Sequence, residues 1–447
     1  MPRTQAEIWA DIQANNTQAM ALQDEMNSTI DTTPPEPPIE PPIEPPVRPE
    51  RSDYLYGVLP TASRTIVVEN PGQITSKLAL AKPGDHLAFK PGNYDDAINM
   101  TVDGQEGYPI LLTAPDGGVT MSKTVSLTGK WCGVSGFTFV GDSRKIDAKN
   151  VGGRVTRCTF KGTSSDLMVY DGIVYMTGGA HPKVMIDFNR WEHIRGAAIR
   201  SEITDISRHQ YMKIGYNSVF NHSILGDNES VMLILMDCYH DGKMQYAYNR
   251  FDTVGRNYQD IGQAELISAK TTDIEIVGTT IVKSGGMYIS GRVSNKLHIH
   301  GSWLRDGAYI GVHGDDHLIE NNDAGDKKVI DLYAGDCTMD SNVPDQCKND
   351  GKVNRCPIVY RGGCKGGMAT VRRATLKNNK GAIKVGTRYG SDKPIKLNDI
   401  NLINNSERAS VVSGSVLNFS ETGIGNNETT AKETTAAMVG PNAPAPA

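Results

Sequence analysis

The sequence predicts an all-β fold: a right-handed parallel β-helix, or solenoid, preceded by a short N-terminal helix and a Pro-rich spacer. Three observations carry that expectation. Between about residues 53 and 425 no long segment with a helical apolar period occurs. Short alternating or β-branched runs such as RTIVVE, HLAFK, PILLTA, KVMIDFNRW, TDIEIVGTTIVKS and KLHIHGSWL stand there instead, divided by Gly, Asn and Asp. Such runs read as short strands with tight turns between them. Several of them end on a common phrase, as in Tyr216-Asn217, Tyr248-Asn249, Asn321-Asn322, Asn378-Asn379 and Asn404-Asn405. A strand-turn unit that recurs every few tens of residues marks a solenoid. Asn suits the corner of a coil because it tolerates the left-handed conformation, and its amide can bond the Asn one coil away. Blade signatures of propellers and the Cys-Trp pattern of sandwiches are absent from the sequence.

The flanking elements follow from composition. Nine of the 23 prolines lie in residues 33–50, TPPEPPIEPPIEPPVRPE, and proline fixes φ and removes a donor, so residues 34–52 are expected to form a stiff extended linker. Residues 1–33 carry Ile8, Trp9, Ile12, Met20, Leu22, Met26 and Ile30 among polar residues. That imperfect stripe suits either an anchoring or oligomerising helix or a frayed tail. The body spans 53–425, and residues 426–447, rich in Ala, Thr and Pro, are expected to be a disordered tail.

Charge narrows the function. The 447 residues hold 46 Lys and Arg against 51 Asp and Glu, for a formal net charge of −5. Nucleic acid is therefore not an expected partner, since its binding needs a basic stripe to displace phosphate counterions. No apolar run is long enough to span a membrane, and the first residues lack the apolar core of a secretory signal.

Of seven cysteines, Cys132, Cys158 and Cys238 fall in strand-like runs and are expected to be small buried apolar groups. Cys337, Cys347, Cys356 and Cys364 cluster in a polar insertion, residues 335–365, at spacings unlike zinc sites. Two disulfides stapling that loop are expected, which implies an oxidising destination. A virion or extracellular protein, with a phage particle as the attachment point of the N-terminus, reconciles this with the missing signal.

Four phrases, in order, resemble a known family. LALAKPGDHLAFKPGNY at 78–94 is similar to the opening coil of the polysaccharide lyases of family 6, the chondroitinase-B-like and alginate-lyase-like enzymes. QAELISAK at 263–270, MYISGRVSN at 287–295 and YIGVHGDDHLIENN at 309–322 resemble later phrases of that family. The resemblance covers residues 63–325. It implies a parallel β-helix that cleaves a uronate polymer, alginate first, by β-elimination. That chemistry requires a neutralised carboxylate, a base for the C5 proton and stabilisation of the departing oxygen.

By the resemblance, Lys270 is the base and Arg292, one coil later, its partner. Calcium is the implied cofactor, held by Asn228, Gln263 and Glu265, with Asp227 or Glu229 as substitutes for Asn228. Gln263 stands where the family has a Glu, so one negative charge is missing. Either a weakened calcium site results, or Gln263 and Asn228 neutralise the uronate by hydrogen bonds without metal. Gly311 stands where the family grips substrate with Arg, and Val293 where it has His. Arg305, Arg256 and His317 are the candidates to take over substrate contact. Two alternatives remain open: a β-helix glycoside hydrolase using Asp315 and Asp316, whose adjacency reads better as a turn, and a non-catalytic polysaccharide-binding spike.

Overall fold

A computed structural model describes residues 55–141, 145–149, 152–162, 168–169, 173–178, 184–203, 212–222, 230–236, 244–254, 265–270, 274–284, 287–291, 296–312, 316–334, 371–388, 397–411, 416–422, 431–439 and 441–443. The chain divides into Met1–Glu50 and Arg51–Ala447, so the expected helix and linker lie outside the described residues. So do Cys238 and the whole cysteine insertion.

The body is a right-handed parallel β-helix whose central coils each contribute three short strands. One coil runs Met244–Ala247, Arg250–Val254 and Glu265–Lys270; the next runs Ile274–Val277, Thr280–Ile281 and Tyr288–Gly291. First-face strands form a fourteen-stranded sheet from Arg64–Val68 to Val416–Thr422, and second- and third-face strands join in a 21-stranded sheet. Pairing between coils is parallel with little slippage, so one register position repeats down the axis. Along the first face, Ile186, Ile214, Tyr246, Ile276, Ile299 and Ile319 occupy a single such column and all are buried. The column begins at Ile66 and ends, after Leu402, opposite the polar Glu421. Apolar residues on alternate positions are therefore what fix the coil, since a one-residue slip would turn the whole column to solvent. The second face stacks Phe139, Phe160 and Trp191 nearly parallel at 5.0 Å. Cys132 and Cys158 are buried, as small apolar groups in a core would be, and burial pushes the Cys158 thiol up to about 12.

The corner between first and second faces divides two tasks between two residues. The first takes the left-handed conformation: Phe188, Tyr216, Tyr248, Gly278, Gly301, Asn321, Asn378 and Asn404 all have φ between 52° and 65°. The second points inward and is Asn at 189, 217, 249, 322, 379 and 405, each at most 1% exposed. Asn217 Nδ2 donates to Ile186 O at 2.9 Å and to Asn249 Oδ1 at 3.1 Å. Its Oδ1 accepts from the backbone and side-chain amides of Asn189 at 2.9 and 3.1 Å. A second ladder joins Asn322, Asn379 and Asn405. The expected Asn ladder is thus present, with the strained position and the bonding position separated.

The aromatic corner residues stack outside the helix, Phe188 on Tyr216 at 4.9 Å and Tyr216 against Tyr248 at 5.2 Å. Both ends of the described body dock there. Tyr56 meets Tyr216 edge-on, while Asp187 accepts from Gly57 N at 2.7 Å and from Arg154 at 2.9 Å. The tail expected to be disordered departs from that expectation over Ala431–Val439 and Pro441–Ala443. It runs back along the corner, with Thr434 Oγ1 donating to Gly278 O, Arg250 bonding Thr434 O and Glu433, and Arg157 donating to Pro441 O and Ala443 O. Val439 and Ala443 pack on Phe188 and Tyr216. Ala/Thr/Pro composition suggests disorder because such a segment has no core of its own; here the aromatic corner supplies one.

Candidate functional site

The third face carries the strand that holds Glu265 and Lys270, two of the positions singled out by the sequence. Lys270 is the last residue of Glu265–Lys270, and Gly291, the residue before Arg292, ends Tyr288–Gly291. Ser268 is in register with Ser290, and Ser290 with Gly311. Lys270 lies two residues beyond Ser268 and ends its strand. Ile267, Ala269, Ile289 and Ile310 belong to the core, so by strand alternation Ser268, Ser290 and Gly311 line the outward side. All three are small and buried, and the hydroxyls of Ser268 and Ser290 have no hydrogen-bond partner among the described residues. Buried polar atoms of that kind suit a ligand or ordered water.

Glu265 would lie on the wrong side in a regular strand, because five residues separate it from position 270. A register shift between Glu265 and Ile267 corrects this. It sets Glu265 opposite Tyr288 while Ile267 pairs with Ile289. Ile289 faces the core, so the adjacent register position, and Glu265 with it, belongs to the outward side. Glu265 is 3% exposed. Buried carboxylates need a cation or hydrogen-bond donors. Asn228, Gln263, Arg256 and Arg292 lie outside the described residues, as does the side chain of Lys270. The three implied calcium ligands are all oxygen donors, the chemistry calcium takes.

Two of the expected substrate contacts are placed elsewhere. Arg305 follows the second-face strand Trp303–Leu304. Its guanidinium lies 3.9 Å over the Trp303 ring and donates to Leu304 O, Asp323 O and Asp323 Oδ1 at 2.8, 3.0 and 3.3 Å. A cation so engaged holds two coils together. His317 is 2% exposed, at the corner before Leu318–Glu320, and its Nδ1 accepts the Leu297 N–H at 3.3 Å. Its ring is inside the corner rather than on a binding surface. Asp316 has φ 62°, so it is a turn residue, as its adjacency to Asp315 suggested; Asp315 itself lies outside the described residues.

A second cluster, unnoticed in the sequence, lies on the first face. Glu275 is in register with His298, and His300 with Glu320. His300 Nε2 is 3.0 Å from Glu275 Oε1, and His298 Nε2 is 3.0 Å from Glu320 Oε1. The imidazoles stack at 4.2 Å. Glu275 Oε2 accepts from Gln245 at 2.6 Å, and Gln245 Oε1 from the Tyr56 hydroxyl at 2.9 Å. Burial raises the Glu275 carboxyl, but the Gln245 and His300 hydrogen bonds outweigh it and the net shift is downward. Glu275, His298 and His300 offer ligand atoms within 4.8 Å of one another. The signal was available: HIH in a strand puts both imidazoles on one face, and Glu275 stands one coil earlier. It needed the coil register to be read.

No family model matches the chain, and no curated protein does. Solved structures do. One is a mannuronic-acid-specific lyase of polysaccharide family 6 from human gut microbiota, at 14% identity, with a TM-score of 0.56 over 79% of this chain and 83% of that one. The family 6 alginate lyase AlyGC gives 20% identity and a TM-score of 0.57, over 79% of this chain and 50% of its own. A family 6 lyase from Pseudopedobacter saltans gives 16% identity and a TM-score of 0.58, over 84% of this chain and 99% of that one. These names give the expectation of a virion origin no support. At such identities what the chain has in common with the family 6 polysaccharide lyases is their fold, the right-handed parallel β-helix.

Proposed function

We propose that this protein is a polysaccharide lyase that cleaves a uronate polymer, alginate first among them, by β-elimination on the third face of the helix. The observation that supports the reading is the register there: Ser268 pairs with Ser290 in the strands that hold Glu265 and Lys270 and that lead up to Arg292 in the sequence, with a register shift at Leu266. Alginate is also what several proteins of the same fold act on by name.

Lys270 acts as a neutral amine and takes the C5 proton, with the guanidinium of Arg292 lowering its pKa by like-charge repulsion. Arg292 remains charged throughout and stabilises the glycosidic oxygen as the C4–O bond breaks, and the ammonium of Lys270 returns the abstracted proton, directly or through a water, to that oxygen. The electron pair of the C5–H bond becomes the C4–C5 double bond of the new non-reducing end. A calcium ion on Asn228, Gln263 and Glu265 would offset the uronate carboxylate charge and so acidify the C5 proton. The polymer is too large to enter a cell, so the working site is extracellular.

The test is ultraviolet absorbance during incubation with alginate, chondroitin and dermatan. A lyase produces a conjugated unsaturated uronate, whereas a hydrolase gives only reducing ends and a binder gives neither. Lys270→Ala is expected to lower turnover at least 1000-fold, in line with loss of a general base, while the thermal midpoint stays unchanged. Undiminished turnover in that variant removes the assignment.

A further inference from the structure

We infer that Glu275, His298 and His300 form a binding site for a divalent transition-metal ion of the zinc type, with Glu320 beside it, which cross-links consecutive coils on the first face. This site is separate from the third-face chemistry and does not depend on it.

Geometry comes first. Two imidazoles separated by one residue on a strand share a face, and the parallel register adds one carboxylate from the coil before and one from the coil after. The His300 Nε2 to Glu275 Oε1 distance is 3.0 Å. Bonds of about 2.0–2.1 Å to a tetrahedral ion put neighbouring ligand atoms about 3.3 Å apart, so that edge is already close to formed. Both Nε2 atoms are turned toward carboxylate oxygens.

Charge points the same way. The imidazoles stack at 4.2 Å between the carboxylates of Glu275 and Glu320. A dication there would take a lone pair from each imidazole, and the two carboxylates would balance its charge. Lys377, opposite Glu320 in register, is the nearest competing cation on that column.

The surroundings match a metal site as well. Ligating carboxylates are typically held by a second hydrogen bond, and Glu275 Oε2 is held by Gln245, itself fixed by Tyr56. Two imidazoles and a carboxylate suit zinc, nickel or copper, whereas calcium takes oxygen ligands.

The experiment uses the full chain, stripped with chelator and with its thiols alkylated, titrated with Zn²⁺ by calorimetry. One saturable site is expected, weakened at least 100-fold in the His298→Gln/His300→Gln variant and unaffected by excess Ca²⁺. At about 100 times Kd, Zn²⁺ is expected to raise the thermal midpoint by about 4 °C in the wild type and not in the variant. If the double variant does not fold, Co²⁺ added to the wild type reports instead. Intense visible absorption of a four-coordinate nitrogen and oxygen site supports the inference. Weak six-coordinate absorption, no saturable Zn²⁺ binding, or equal binding in the variant overturns it.

Discussion

Replacing Asn217 by Ala tests whether the inward Asn ladder holds the coils in register. Four side-chain hydrogen bonds disappear: to Ile186 O, to Asn249 Oδ1, and from the backbone and side-chain amides of Asn189. Each is worth about 1 kcal/mol net, and buried partners left unsatisfied cost more. Asn217 is 0% exposed, so water cannot replace the lost partners. The expected destabilisation is about 3–5 kcal/mol. Asn249 makes three such bonds, to Ile214 O and from the two Asn217 amides, and its Ala variant should cost about 1 kcal/mol less. Urea unfolding followed by circular dichroism measures both, with amide exchange at Ile186 and Asn189 to localise the effect. A loss below about 1 kcal/mol for Asn217→Ala, or no difference between the two sites, would refute the reasoning. It would mean that the apolar columns alone set the coil.

Two further outcomes follow from buried groups. His222 is 1% exposed, and burial lowers its pKa to about 4 although the Gly196 carbonyl bonds its Nε2. Its folded pKa lies below the unfolded value of about 6.5, so the unfolded state binds the extra proton and stability falls as pH drops from about 6.5 toward 4. About 3 kcal/mol is expected to vanish over that window, and His222→Phe should flatten the urea midpoint against pH if the ring is the cause. Tyr246 is fully buried in the apolar first-face column and its hydroxyl has no hydrogen-bond partner among the described residues. Tyr246→Phe removes an unpaid desolvation cost and is expected to raise stability by about 1 kcal/mol; a comparable loss in thermal unfolding would reveal a partner for that hydroxyl.

Much of the fold was legible because a solenoid writes its geometry into local sequence. Apolar alternation gave the strands, and the doublets ending in Asn gave the corner. What the doublets did not reveal was the division of labour: Tyr216 and Asn217 look alike as turn formers, yet one bears the left-handed backbone and the other the ladder. The docked tail was illegible because its stability resides in Phe188 and Tyr216, more than 200 positions earlier in the chain. At the third face, the motif spacing marked Lys270 and Glu265, but not the register shift between Glu265 and Ile267. Arg305 and His317 were chosen by proximity along the chain. Whether a cation is free for a ligand depends on Trp303 and Asp323, which sequence distance does not report.

The returning C-terminal segment alters how such a stack can come apart. In an open solenoid every coil touches only its neighbours, and fraying can start at either end without consequence for the middle. Here Thr434 is tied to Gly278 and Ala443 to Arg157, so residues late in the sequence bind coils formed much earlier in it. The segment acts as a clasp that closes only after the later coils are in place, and peeling of those coils has to break it before it can spread. Resistance to proteases would then rest on a dozen residues that have no fold of their own.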